Sequence, residues 1–132
     1  HFSQITEGFS TDELANSGSG TGGTHDTDID FRASNKIRLD ILASMNDMNL
    51  IFPVGAGNFT LIVTYNGDWA IDSWKVWKAD ASAAGAPNVF WPGGTEPDTT
   101  NGGADIFSFY WTGTAGGEYC FGVASLDFQA GD

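Results

Sequence analysis

Along most of the chain, apolar and polar residues alternate with a period of two, the mark of strands that bury one face. The longest such stretch is NFTLIVTYNGDWAIDSWKVWK, residues 58 to 78. Phe59, Leu61, Val63 and Tyr65 alternate with Thr60 and Thr64, and Asn66-Gly67 follows. Both turn residues tolerate the positive φ of a tight turn. Trp69 and Ile71 then resume the alternation, which predicts a central hairpin with Val63 facing Ile71 and Tyr65 facing Trp69. The apolar phase slips to Trp74 and Val76, predicting a bulge near Asp72-Ser73.

Two further hairpins follow from the same logic. Ile29, Phe31 and Ala33 share one face, Ile37, Leu39 and Ile41 another, joined through Ser34-Asn35-Lys36. Aligning them places all six apolar side chains together and leaves Asp30, Arg32, Arg38 and Asp40 outward as a solvated face. Near the end, Phe107, Phe109 and Trp111 alternate before a turn near Ala115-Gly116-Gly117. Tyr119, Phe121 and Val123 alternate after it, followed by Leu126 and Phe128. Residues 42 to 49 have the makings of a helical turn, and Leu50-Ile51-Phe52 before Pro53 predicts a short strand. Residues 79 to 104 form a long Gly, Pro, Ala and Thr-rich connection interrupted only by Val89-Phe90-Trp91. Ordered loops of that length are uncommon and often functional. With regular turn signals and no convincing helix, the chain reads as all-β, an antiparallel, jelly-roll-like β-sandwich of about eight strands.

The sandwich domain is assigned to residues 25 to 132. Ahead of it, residues 1 to 14, HFSQITEGFSTDEL, make an extended strand-like arm with apolar anchors at Phe2, Ile5, Phe9 and Leu14. Residues 15 to 24, ANSGSGTGGT, form a Gly/Ser linker with almost no side chain to pack. Such an arm either folds back as an edge strand or reaches a neighbouring molecule.

Composition narrows the function. The 132 residues suit one domain with a real core, and 41% apolar and 14% aromatic content argues against disorder. Five basic against 17 acidic residues give a net charge of −12, which repels phosphate backbones and excludes nucleic acid as a partner. No apolar run approaches the roughly 20 residues of a membrane span. The single cysteine, Cys120, rules out an internal disulfide framework and sits between Tyr119 and Phe121 as a small buried side chain. A start at His1, few Lys, and abundant Gly, Thr, Ser and Asp read as a processed, secreted, extracellular protein.

Several residues carry candidate chemistry. Asp26, Asp28 and Asp30 alternate, so an extended strand points all three carboxylates one way, about 6–7 Å apart. A hard cation relieves that crowding, and Ca2+ is the natural choice, with Asp12 or Glu13 or a loop carboxylate completing the shell. The run is not an EF-hand, since Phe31 stands where that loop needs glycine. Glu96, Asp98 and Asp105 form a second acidic group. Of five tryptophans, Trp69 and Trp111 fit core positions, whereas Trp77 and Trp91 are candidates for stacking on sugar rings. Asn58-Phe59-Thr60 is the only N-glycosylation sequon and places Asn58 at an exposed strand end. An N-terminal His1, with His25 as partner, resembles the copper-holding histidine brace of lytic polysaccharide monooxygenases. No nucleophile–histidine–acid set or phosphate loop is present, so catalysis is not expected.

The layout of arm, Gly/Ser tether and acidic sandwich resembles pilin-like and biofilm-fibre subunits that polymerise by donor-strand exchange. That resemblance implies a non-catalytic extracellular structural subunit that joins other copies of itself head to tail into a helical homo-polymer. Phe2, Ile5, Phe9 and Leu14 would be the anchors buried at the subunit interface. The alternative is a secreted carbohydrate-binding module, calcium-dependent, that takes glycans through Trp77 and Trp91.

Overall fold

Connections of three to five residues decide the topology. The computed structural model describes residues 10–12, 26–65, 67–99 and 102–131. Within them lie nine strands: β1 (Ser10–Asp12), β2 (Thr27–Asp30), β3 (Lys36–Ile41), β4 (Met45–Ile51), β5 (Gly57–Tyr65), β6 (Ile71–Trp77), β7 (Ala83–Asn88), β8 (Ala104–Trp111) and β9 (Cys120–Phe128). They form two sheets, one ordered β1-β3-β5-β8-β9 and the other β2-β4-β6-β7. From β2 to β6 each strand crosses to the opposite sheet, so every second strand lies beside its predecessor and runs in the same direction.

The fold is an all-β sandwich, but its sheets are mixed. The β1–β3, β3–β5, β2–β4 and β4–β6 pairs are parallel, and the β5–β8, β6–β7 and β8–β9 pairs antiparallel. This corrects the antiparallel expectation. Two of the three expected hairpins are absent, because β2 and β3 lie in different sheets, as do β5 and β6. The physical reason is that alternation fixes which face is buried, not which neighbour shares the hydrogen bonds. Ile29 and Phe31 do meet the same core as Ile37, Leu39 and Ile41, but from the other sheet.

The β8–β9 hairpin is present, with Trp111 opposite Cys120, Phe109 opposite Gly122 and Phe107 opposite Ala124. Register between β4 and β6 runs without a shift past Asp72-Ser73, so there is no bulge there. The apolar phase nonetheless changes along β6: Ile71 packs against the core at its start, and Trp74 and Val76 are buried further on. Residues 45–51 are strand rather than helical turn, and the long connection after residue 78 contains β7. A 3₁₀ turn over Pro92–Gly94 is the only helical piece among the described residues, and no helix there is long and apolar enough to cross a membrane.

Aromatic rings fill the space between the sheets. Phe52 stacks on Trp111 with centroids 4.9 Å apart and planes 8° apart, and Phe31 lies 5.3 Å from Phe52 and 5.1 Å from Phe59. Toward the other end, Trp74 of one sheet meets Phe107 of the other at 4.6 Å. Phe109 joins the two groups, 6.1 Å from Phe31 and 5.9 Å from Trp74. β9 turns small residues inward, Cys120, Gly122 and Ala124, and this lets Val89 and Trp91 close over the core. A Cβ on Gly122 would stand 2.7 Å from Trp91 and 2.9 Å from Val89.

Phe52→Ala should therefore lose about 3–5 kcal/mol of unfolding free energy in urea titration, as a fully buried aromatic does. Gly122→Ala should lose about 1–3 kcal/mol by overpacking, read in the same titration. A Gly122→Ala chain as stable as the parent would mean that Trp91 does not pack against β9.

Candidate functional site

The sequence-predicted site residues are dispersed rather than convergent. Phe2, Ile5, Phe9, Leu14, His1 and His25 lie outside the described residues. Asp26, Asp28 and Asp30 run along β2, each facing its own donor. Asp26 Oδ1 accepts from the Asp47 backbone N–H at 3.1 Å, and Asp28 Oδ1 accepts from Asn49 Nδ2 at 3.1 Å. Asp30 takes two bonds from the Arg32 guanidinium, 2.8 and 2.9 Å, and these hold its carboxyl below the usual range. Among the described residues no three metal-ligating side chains converge, and Asp105 is buried away from the exposed Glu96 and Asp98.

The two tryptophans considered for sugar stacking have little free ring face. Trp91 is 8% exposed, edge-on to Trp74, Phe107 and Phe109. Trp77 is half-buried and donates its indole N–H to the buried Asn49 Oδ1 at 2.9 Å. Asn58 is exposed on β5, so its side chain is open to modification.

Asp105 is the most deeply placed acid, fully buried at the start of β8. Its Oδ2 accepts from the Tyr65 hydroxyl at 2.7 Å, and its Oδ1 accepts from the Asp127 backbone N–H at 2.8 Å. Asp127 has φ of 61°, and the β8–β9 register shifts beside it, so this carboxylate fastens a bulge near the end of β9. Cys120 is likewise enclosed, and burial raises its thiol well above the usual range, which makes it inert toward electrophiles.

What the structure does bring together is an uncharged apolar surface on β8 and β9. The alternation that buries Phe107, Phe109 and Trp111 turns Tyr110 outward, and the small inward residues of β9 turn Phe121 and Val123 outward. Tyr110, Tyr119, Phe121, Val123 and Phe90 are each 41–54% exposed. Asn58, Tyr110 and Phe121 form one row across the sheet, and Thr60, Ser108 and Val123 the next. These rows line a shallow groove of about 390 Å³. The residues lining this groove carry no charged group, in a chain of net charge −12. The sequence carried the signal: Tyr119, Phe121 and Val123 alternate with Cys120, which reads as a small buried side chain.

No family model, curated protein or solved structure matches the chain.

Tyr65 gives the site's neighbourhood a pH signature. Burial disfavours its phenolate, and the hydrogen bond to Asp105 with the charge of that carboxylate adds to this, so its pKa is raised far above the usual tyrosine range. Unfolded tyrosine ionises near pH 10, so above that the unfolded chain releases a proton that the folded chain keeps. The contribution is intact below about pH 10 and falls by up to about 1.4 kcal/mol per pH unit above it. Urea titrations from pH 8 to 11 should show that decline, and Tyr65→Phe should flatten it. An unchanged slope in Tyr65→Phe would contradict a buried phenol.

Proposed function

We propose that the chain is a non-catalytic structural subunit, secreted and assembled outside the cell, that joins head to tail into a filament by donating its N-terminal arm. The observation that carries this reading is the place of the arm's described part. Ser10–Asp12 is an edge strand, parallel to β3, with Ser10 opposite Ile37 and Asp12 opposite Leu39. The arm thus already behaves as a β-edge element, rooted by three residues. Phe2, Ile5 and Phe9 lie N-terminal to that root. Donation of an extended segment to the sheet of a neighbour draws affinity from main-chain hydrogen bonds and specificity from alternate side chains. Such contacts are heterologous and yield open chains unless a rotation closes them. The acidic surface keeps free subunits apart until a specific contact forms.

A second reading has a specific observation behind it. Tyr110 and Phe121, flanked by Asn58, Thr60 and Ser108, combine open aromatic rings with small polar groups, as a glycan-binding surface does. Titration with soluble glycans separates the readings: a quench or shift of intrinsic fluorescence favours sugar binding.

The direct test removes residues 1–14. The intact chain should show filaments in negative-stain micrographs, while the truncated chain should remain folded by circular dichroism and sediment as a monomer. Fibres that persist without the arm, or an intact chain that stays monomeric at high concentration, would overturn strand donation.

A further inference from the structure

Four strands form the sheet edges among the described residues, and three of them are guarded. β2 presents Asp28 and Asp30 on its outer face. β7 carries the exposed Pro87 and pairs irregularly with β6. β1 is three residues long. Charges, proline, irregularity and shortness are the devices that keep sheet edges from pairing with other chains.

β9 differs. It is nine residues long and free of charge and proline until Asp127. Its outer edge is covered at one end only, where Phe90 N–H donates to Cys120 O at 2.8 Å and Gly122 N–H donates to Phe90 O at 3.0 Å. Because backbone groups alternate in direction along an antiparallel strand, Ala124 turns its N–H and C=O the same way as Gly122, away from β8. Among the described residues those groups have no backbone partner. Beyond Phe90 the chain leaves the strand through Pro92–Gly94, and a groove of about 560 Å³ opens between it and β9. Trp91, Pro92, Pro97, Val123, Ala124 and Leu126 supply its apolar lining, with Glu96 and Asp98 alongside.

We infer that this groove accepts residues 1–9 of a second copy as an added strand hydrogen-bonded to β9 at Ala124. The inference rests on the filament reading and names its acceptor. Three observations select this occupant. First, reach: the open stretch from Val123 to Leu126 is about 13 Å long, and nine extended residues span up to about 30 Å. Second, charge: only Glu7 among residues 1–9 is acidic, so the segment can lie beside Glu96 and Asp98 with little repulsion. A second β9 would instead bring its own Glu96, Asp98 and Asp127 against those of the first. Third, direction: β1, the root of the arm, and β9 are opposite edges of the same sheet. An arm leaving one edge and docking on the opposite edge of the next copy leaves a free arm at one end and a free groove at the other. The contact can therefore repeat from copy to copy, in an open chain unless a rotation closes it.

The test uses full-length chains in a Cys120→Ala background. An Ile5→Cys chain is mixed with a Leu126→Cys chain and oxidised, with Asp28→Cys on the guarded β2 edge as control. Disulfide-linked heterodimers should form with Leu126→Cys and not with Asp28→Cys. Ala124→Pro, which removes one outward N–H, and Leu126→Glu, which charges the groove, should each fold and lose at least tenfold in filament mass. Two variants are used because proline also loosens the strand it enters. If both polymerise like the parent while removal of residues 1–14 abolishes filaments, the arm docks elsewhere and this inference falls alone. If Leu126→Cys chains cross-link to one another without the arm, the occupant is a second β9 and the inference also falls. An intact chain that never polymerises removes the filament reading as well.

Discussion

Aromatic rings meeting across the core hold the two sheets to each other, and the rest of the structure follows from that contact. Phe52 lies flat on Trp111, Trp74 leans on Phe107, and Phe109 ties both groups together. Each strand from β2 to β6 must present its apolar face to this layer, yet the links between them are too short for a long crossover within one sheet. The chain resolves the constraint by stepping across the core at every link, and parallel pairing results. Only the end of the chain, past the long connection, returns to hairpin geometry in β8 and β9.

That winding distributes the surface unevenly. On the outer side of the smaller sheet, side chains tie neighbouring strands together: Asp28 accepts from Asn49, which in turn accepts from Trp77, and Ser73 donates to Asp47. On the larger sheet, polar bonding is concentrated toward β3, where Arg38 pairs with Asp40 and Thr64 donates to the same carboxylate. The β8–β9 side keeps Tyr110, Phe121 and Val123 open. An exposed apolar face that continues into an unguarded sheet edge is the usual prelude to association with another chain.

The alternation of Phe59, Leu61 and Val63, and of Phe107, Phe109 and Trp111, made the strands and their buried faces legible in the sequence. Pairing was not, because matching apolar faces looks the same whether two strands are neighbours in a sheet or face each other across a core. β7, with sequence AAGAPN, has no strand-like pattern and owes its conformation to β6. Asp26, Asp28 and Asp30 do point along one strand as alternation requires, but their partners Asp47, Asn49 and Arg32 come from places that spacing alone cannot connect. The exposed surface follows from small inward residues: Cys120, Gly122 and Ala124 face the core, and Phe121 and Val123 between them stay open.

Strand donation converts a bare sheet edge into a ladder, and backbone exchange reports that conversion at single residues. The most direct measurement is the hydrogen-exchange rate of the Ala124 amide in dilute, monomeric protein and in assembled protein. Fast exchange in the monomer and strong protection in the assembly are expected, with the inward-bonded amides of β8 protected in both. Equal exchange at Ala124 in the two states would contradict an added strand at β9.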